Sequence, residues 1–132
     1  MCFEKAVKAK PNARDKGTLF YMRIEVMSLD IDLIIDGECA WSRNITHNLN
    51  VIADKVGAYD HIWRADEVGI KYAKDNIGNL RQALSRFYAE YDDLAKLNPS
   101  NGWGTLDGLI EFTKAYLEAC IEYPDAIIEV SR

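Results

Sequence analysis

Two runs that alternate apolar and polar residues, Leu-Asp-Ile-Asp-Leu-Ile-Ile at 29–35 and Cys-Ala-Trp-Ser-Arg-Asn-Ile at 39–45, flank the dipeptide Asp36-Gly37. A period of two is the signature of a strand with one buried face, and Asp-Gly supplies the backbone freedom of a tight turn. The segment therefore predicts an antiparallel hairpin. Two registers compete. A two-residue turn sets Leu33 opposite Ala40 and Ile31 opposite Ser42, whereas a three-residue loop over 36–38 sets Ile35 by Cys39, Leu33 by Trp41 and Leu29 by Ile45. The second joins apolar to apolar across the pair and is preferred. Its other face carries Asp30 and Asp32 beside Ser42 and Asn44, expected to be a wet surface, with one wall of a polar cleft as the alternative.

After the hairpin the period becomes helical. Leu49, Ile52, Ala53 and Val56 recur at i, i+3, i+4, i+7, with Asn44 or Thr46 to cap the start and Gly57 to end the helix. Ile70, Ala73, Ile77, Leu80, Leu84, Phe87, Tyr91 and Leu94 form a heptad-like seam that predicts one long helix over 67–97, with Gly78 as a kink or close contact and Asp92-Asp93 as a weak point. Leu106, Leu109, Thr113, Tyr116 and Cys120 provide the facing surface on a helix at about 105–121, packed antiparallel to the first. Pro124 stops that helix. Ala126, Ile128 and Val130 then alternate as a short strand able to join the hairpin. The expected fold class is α+β: a small antiparallel sheet of hairpin plus C-terminal strand, covered by a long antiparallel helix pair and shorter helices.

A chain of 132 residues, 48% apolar and 28% charged, has the size and composition of one folded domain. No apolar run approaches the ~20 residues of a membrane span, and the start Met-Cys-Phe-Glu-Lys lacks the apolar core of a secretory signal, so the expected compartment is the cytoplasm. Cys2, Cys39 and Cys120 show no close pairing, and reduced thiols are expected. Charge divides the chain. Residues 1–26 hold six Lys or Arg against three acids, and residues 27–132 hold ten against eighteen. The acidic body disfavours nucleic-acid binding, which draws its affinity from clustered Lys and Arg. Residues 1–26 are thus set apart as a basic extension with a possible strand at 19–26, and 27–132 as the single α+β domain. The even-numbered alternation of Phe20, Met22, Ile24 and Val26 meets the odd-numbered one of Leu29 to Ile35 near Met27, which predicts a bulge, a bend or two strands there, or the original start of the domain.

Polar and aromatic residues that a simple core does not need gather in three stretches: Asn44-Ile-Thr-His-Asn48, Trp63-Arg64, and Asn98-Pro-Ser-Asn-Gly-Trp-Gly104. His47 and Asn48 are expected in the first turn of a helix, where free backbone N–H groups can hold a carboxylate or phosphate. Asn98-Pro99 should stop one helix and Thr105 cap the next, leaving Trp103 as either a plug or a stacking face. With Trp63, Arg64 and Asn101 it would form a polar-aromatic pocket that binds rather than transforms a ligand. The candidate ligand-binding residues are Asn44, His47, Asn48, Trp63, Arg64, Asn101 and Trp103. Only His47 and His61 are histidines, and no carboxylate stands at metal-site spacing from His47, so no metal and no cofactor are expected. Nucleophile elbows and glycine-rich phosphate loops are absent from the sequence, which leaves no expected catalytic residue; the enzymatic alternative uses His47 as general base with Asp30 or Asp32 nearby.

The spaced runs Asn44-Ile-Thr-His-Asn-Leu49, Gly57-Ala-Tyr59, Trp63-Arg64 and Asn98–Gly104, with the ending Glu129-Val-Ser-Arg132, resemble a family of small uncharacterised proteins of bacteriophages and prophage-bearing bacteria. The match covers about residue 28 to the end. In the family pattern proline usually follows Trp-Arg and the chain starts near Met27; here Ala65 and a leader stand in those places. The resemblance implies a phage-associated setting, in which a non-catalytic binding protein for a host protein or a small polar, nucleotide-like ligand, with a counter-defence role, is the expected function. The alternatives are a small hydrolase using His47 and a homo-oligomeric structural protein, the latter supported if seam residues over 70–94 are exposed.

Overall fold

The computed structural model describes residues 28–100, 102 and 104–132. The basic extension, the strand expected at 19–26, Asn101 and Trp103 all lie outside the described residues. The fold class is α+β, as the periodicity predicts. Strands β1 (Ser28–Ile35) and β2 (Glu38–Thr46) form the hairpin, and β3 (Ile127–Ser131) pairs with the other edge of β1, giving an antiparallel sheet in the order β2-β1-β3.

The hairpin uses both registers considered for it. At its tip Ile35 pairs with Glu38 and Ile34 with Cys39, joined by a two-residue turn in which Asp36 and Gly37 have φ of 52° and 81°. Both values are positive, which is the turn geometry that matches strand twist. A bulge between Leu33 and Ile34 then skips Ala40, so that Leu33 pairs with Trp41 and Leu29 with Ile45. The expected pairing of Ile35 with Cys39 is therefore corrected: one extra residue in β2 reconciles the favoured turn with the apolar register. Leu29, Ile31 and Leu33 are buried on one face of β1. The opposite face is not uniformly wet, because Asp32 is 4% exposed and accepts a 2.5 Å hydrogen bond from the Ser42 hydroxyl. Cys120 is free and buried.

Beyond the sheet, a 3-10 turn at His47–Leu49 leads into α1 (Asn50–Lys55), followed by α2 (Tyr59–Trp63). The long helix expected over 67–97 is corrected to a 3-10 turn at Ala73–Asn76, α3 (Ile77–Ala89) and α4 (Tyr91–Ala95), with the break at Glu90. Residues 65–72 are withheld from the helix by two competing demands. Ile70 N–H closes a turn onto Ala65 C=O with Gly69 at φ 82°, and the following segment pairs with the start of β3 through Ile128 N–H to Lys71 C=O and Ala73 N–H to Ala126 C=O. Gly78 is no close contact, since a Cβ there would meet nothing within 4 Å; it stands in the first turn of α3. The last helix, α5 (Leu106–Glu122), starts at Thr105, whose hydroxyl accepts from Gly108 N–H.

Helix α5 packs against α3 and β2, and Tyr116 stacks on Trp41 with ring centroids 5.7 Å apart. Part of the seam enters this core: Leu80, Phe87 and Leu94 are buried there with Leu106, Leu109, Phe112 and Tyr116, while Tyr91 is exposed. Asn76, fully buried, is its polar pin. Its amide donates to His61 C=O at 2.9 Å and Tyr116 Oη at 3.2 Å, while its carbonyl accepts from Asn79. Burial raises the Tyr116 phenol far above its ordinary range, so the hydroxyl stays neutral in this network.

Candidate functional site

The corner between β2 and α1 brings the three polar stretches together. Thr46 adopts an extended backbone and its hydroxyl accepts from Asn48 N–H at 3.3 Å, which turns the chain out of the strand and into the 3-10 turn. His47 therefore projects from the first residue of that turn. Trp63, at the end of α2 and 1% exposed, donates its indole Nε1–H to His47 Nδ1 at 2.9 Å. The third stretch reaches the corner through Gly104. Gly104, at φ 97°, lies so close to the corner that a Cβ placed on it would stand 2.7 Å from Thr46 Cγ2 and 3.0 Å from Leu49 Cδ1. Asn98 holds the other end of that loop, its side-chain carbonyl accepting from Leu106 N–H at 2.8 Å.

Around Trp63 the groups form a linked set. Tyr59, one helical turn earlier on α2, stacks on Trp63 with centroids 5.8 Å apart. Arg64 lies over the Tyr59 ring, donates from Nε to Tyr59 Oη at 3.1 Å and pairs with Glu67 at 2.9 Å. Arg132, carried in beside β1 by β3, donates to Trp63 C=O at 2.9 Å, grips Asp66 with both guanidinium nitrogens at 2.8 and 3.1 Å, and reaches Glu67 at 3.1 Å. The Arg132 hydrogen bonds hold the Asp66 carboxyl below its ordinary range. The segment from Trp63 to Glu67 is thus clamped to the end of the sheet by one side chain.

These surroundings fix the state of His47. Burial is the largest influence and lowers its pKa; Asp30 opposes this, while Arg132 and Arg64 push it further down. The imidazole is therefore neutral at pH 7. With Nδ1 accepting from Trp63, the ring proton sits on Nε2, so His47 offers its surroundings a donor and no free lone pair. Asp30 acts on it only through charge, and Asp32 is engaged by Ser42 on the sheet face.

Of the candidate residues, His47, Trp63 and Arg64 converge through these contacts, and Asn48 sits in the same turn. Its amide nitrogen is buried with no hydrogen-bond partner among the described residues, a state that costs about 1–3 kcal/mol. Asn44 is exposed on β2 opposite Asp30, the carboxylate whose charge reaches His47. Tyr59, Asp66, Glu67 and Arg132 were not singled out as site residues from sequence. The spacing of Tyr59 and Trp63 on one helix face was available as a signal, whereas the meeting of residue 132 with residues 63–67 depends on strand order and had none. Comparison with known proteins finds no matching family model, no matching curated protein and no matching solved structure.

Proposed function

We propose that the chain is a phage-type, non-catalytic binding protein of the host cytoplasm, and that the corner built from His47, Asn48, Trp63 and Arg64 is the face with which it engages a host protein or a small polar, nucleotide-like ligand. One observation carries the preference for binding over catalysis: the Trp63 N–H occupies the lone pair that His47 would need as a general base. The face instead offers the His47 Nε2–H as a donor beside the partly exposed charges of Arg64, Asp66 and Glu67. The phage setting and the counter-defence role rest on the motif resemblance. For the homo-oligomer alternative the seam speaks both ways: Leu80, Phe87 and Leu94 are buried within the chain, whereas Tyr91 is exposed and Ile70, Ile77 and Leu84 are partly covered.

The test is native mass spectrometry and affinity capture from phage-host cell extract, comparing the unmodified chain with His47→Ala and Arg64→Glu. A retained ligand or partner that survives His47→Ala at measurable affinity and is lost with Arg64→Glu is the expected result. Hydrolysis of a phosphodiester or ester panel that falls by roughly 10²-fold in His47→Ala would overturn the reading in favour of the hydrolase.

A further inference from the structure

A second concavity lies away from the His47 corner, between the turn Val56-Gly57-Ala58 and one stripe of α3. It has a volume of about 200 Å³ and is lined by that turn together with His61, Asn79, Gln82, Ala83 and Arg86. Its existence follows from small residues at the positions where side chains would otherwise fill it. Ala58 and Ala83 are buried at its base, and Gly57 contributes only backbone. Asn79, Gln82, Ala83 and Arg86 follow the i, i+3, i+4, i+7 spacing that places them on one helix face.

The cleft is held open at both ends. At one, Asn76 donates to His61 C=O; at the other, Arg86 Nη1 donates to Val56 C=O at 3.2 Å. These bonds tie the α1–α2 connection to α3 across the gap, so the walls are fixed before any ligand arrives, which reduces the ordering cost of binding. The lining is also close to electrically neutral. Glu90 takes Arg86 Nε and Nη2 at 2.9 and 2.8 Å, matching its charge outside the cleft. What remains to meet a ligand is the exposed Gln82 carboxamide, the unused half of the Asn79 carboxamide and the His61 imidazole, over an apolar base.

We infer that this cleft is a second ligand site, independent of the His47 corner, and that it accepts a neutral planar heterocycle of nucleobase size. Carboxamides present a donor and an acceptor side by side and pair with the donor–acceptor edge of a base, while the alanine floor accepts its apolar face and the imidazole offers a stacking surface. A free anion fits less well, because the one cation in the lining already has its carboxylate. An apolar ligand would leave two carboxamides unpaired.

The experiment is a two-dimensional amide NMR titration of the full chain with adenosine, guanosine, cytidine and uridine separately, and with inorganic phosphate and acetate as anion probes. Saturable shifts at Gly57, His61, Asn79 and Gln82 with at least one nucleoside are expected. Gln82→Ala, a change at an exposed position that leaves the core intact, should weaken that binding about tenfold. Ala83→Leu should fill the cleft and abolish it, and His47→Ala should leave it unchanged. The inference is overturned if no nucleoside saturates, if phosphate or acetate alone does so, or if the affinity is the same in Gln82→Ala. Loss of binding in His47→Ala would also overturn it by placing the ligand at the other site.

Discussion

Replacing Gly104 by Ala tests whether the 98–104 loop is packed on the β2–α1 corner. Two costs separate cleanly. The first is conformational: a side chain at φ 97° is strained by about 1–3 kcal/mol wherever it occurs. The second is local, because the new Cβ would lie 2.7 Å from Thr46 Cγ2 and 3.0 Å from Leu49 Cδ1 and Cγ, and overpacking of this kind costs about 1–3 kcal/mol more. The sum, about 2–6 kcal/mol, is a large part of the roughly 5–15 kcal/mol that stabilises a domain. Gly69→Ala is the internal control. Gly69 has φ 82°, yet a Cβ there meets nothing within 4 Å, so it carries the first cost alone. Thr46→Ser provides the partner test, deleting Cγ2 while keeping the hydroxyl that accepts from Asn48 N–H. Equilibrium urea unfolding should show Gly104→Ala about 1–3 kcal/mol more destabilising than Gly69→Ala. In the Thr46→Ser background its cost should fall by about 1 kcal/mol, the size of coupling expected for groups in contact. Equal losses for the two alanine variants, or strict additivity with Thr46→Ser, would refute the packing of the loop on this corner.

Further predictions concern the same region and its supports. The folded pKa of His47 lies below the ordinary 6.5, so the unfolded chain takes up the proton first and stability should decline as pH falls below about 6.5, levelling once the folded form is also protonated. His47→Gln, which can still accept from Trp63, should flatten that part of the pH–stability curve; an unchanged slope would place its source elsewhere. Arg132→Ala removes the donor to Trp63 C=O together with the Asp66 and Glu67 pairs, and should cost about 1–2 kcal/mol, partly screened by salt because these groups are exposed in part. Asn48→Ala removes a buried donor that has no partner among the described residues and should leave stability unchanged or raised by up to about 1 kcal/mol in urea unfolding; a loss above about 1 kcal/mol would show that the amide is satisfied.

The strands were legible because a period of two and an Asp-Gly turn act locally, and the pairing of Ile128 with Leu33 extends that alternation to the C-terminal strand. The bulge at Ala40 was not, since either register satisfies part of the pattern and only their combination satisfies all of it. The start of α3 was misread for a related reason. Ile70 and Ala73 do keep helical spacing with Ile77, but backbone pairing of residues 71–73 with 126–128 outcompetes helix formation, and that competition is between segments more than fifty residues apart. Residue types pointed to His47, Trp63 and Arg64 because a polar or aromatic group in a corner needs a partner. They could not identify Arg132 as the clamp, because its position beside Trp63 follows from β3 lying next to β1.

The hydrogen bond from Trp63 to His47 is where convergence of the motifs and the non-catalytic reading meet. Nitrogen-15 NMR of the uniformly labelled chain at neutral pH measures it directly. The account predicts a scalar coupling across the bond between Trp63 Nε1 and His47 Nδ1, with the His47 proton on Nε2. A His47 protonated on Nδ1, with no such coupling and a freely exchanging Trp63 indole proton, would contradict it and return the imidazole to the list of possible bases.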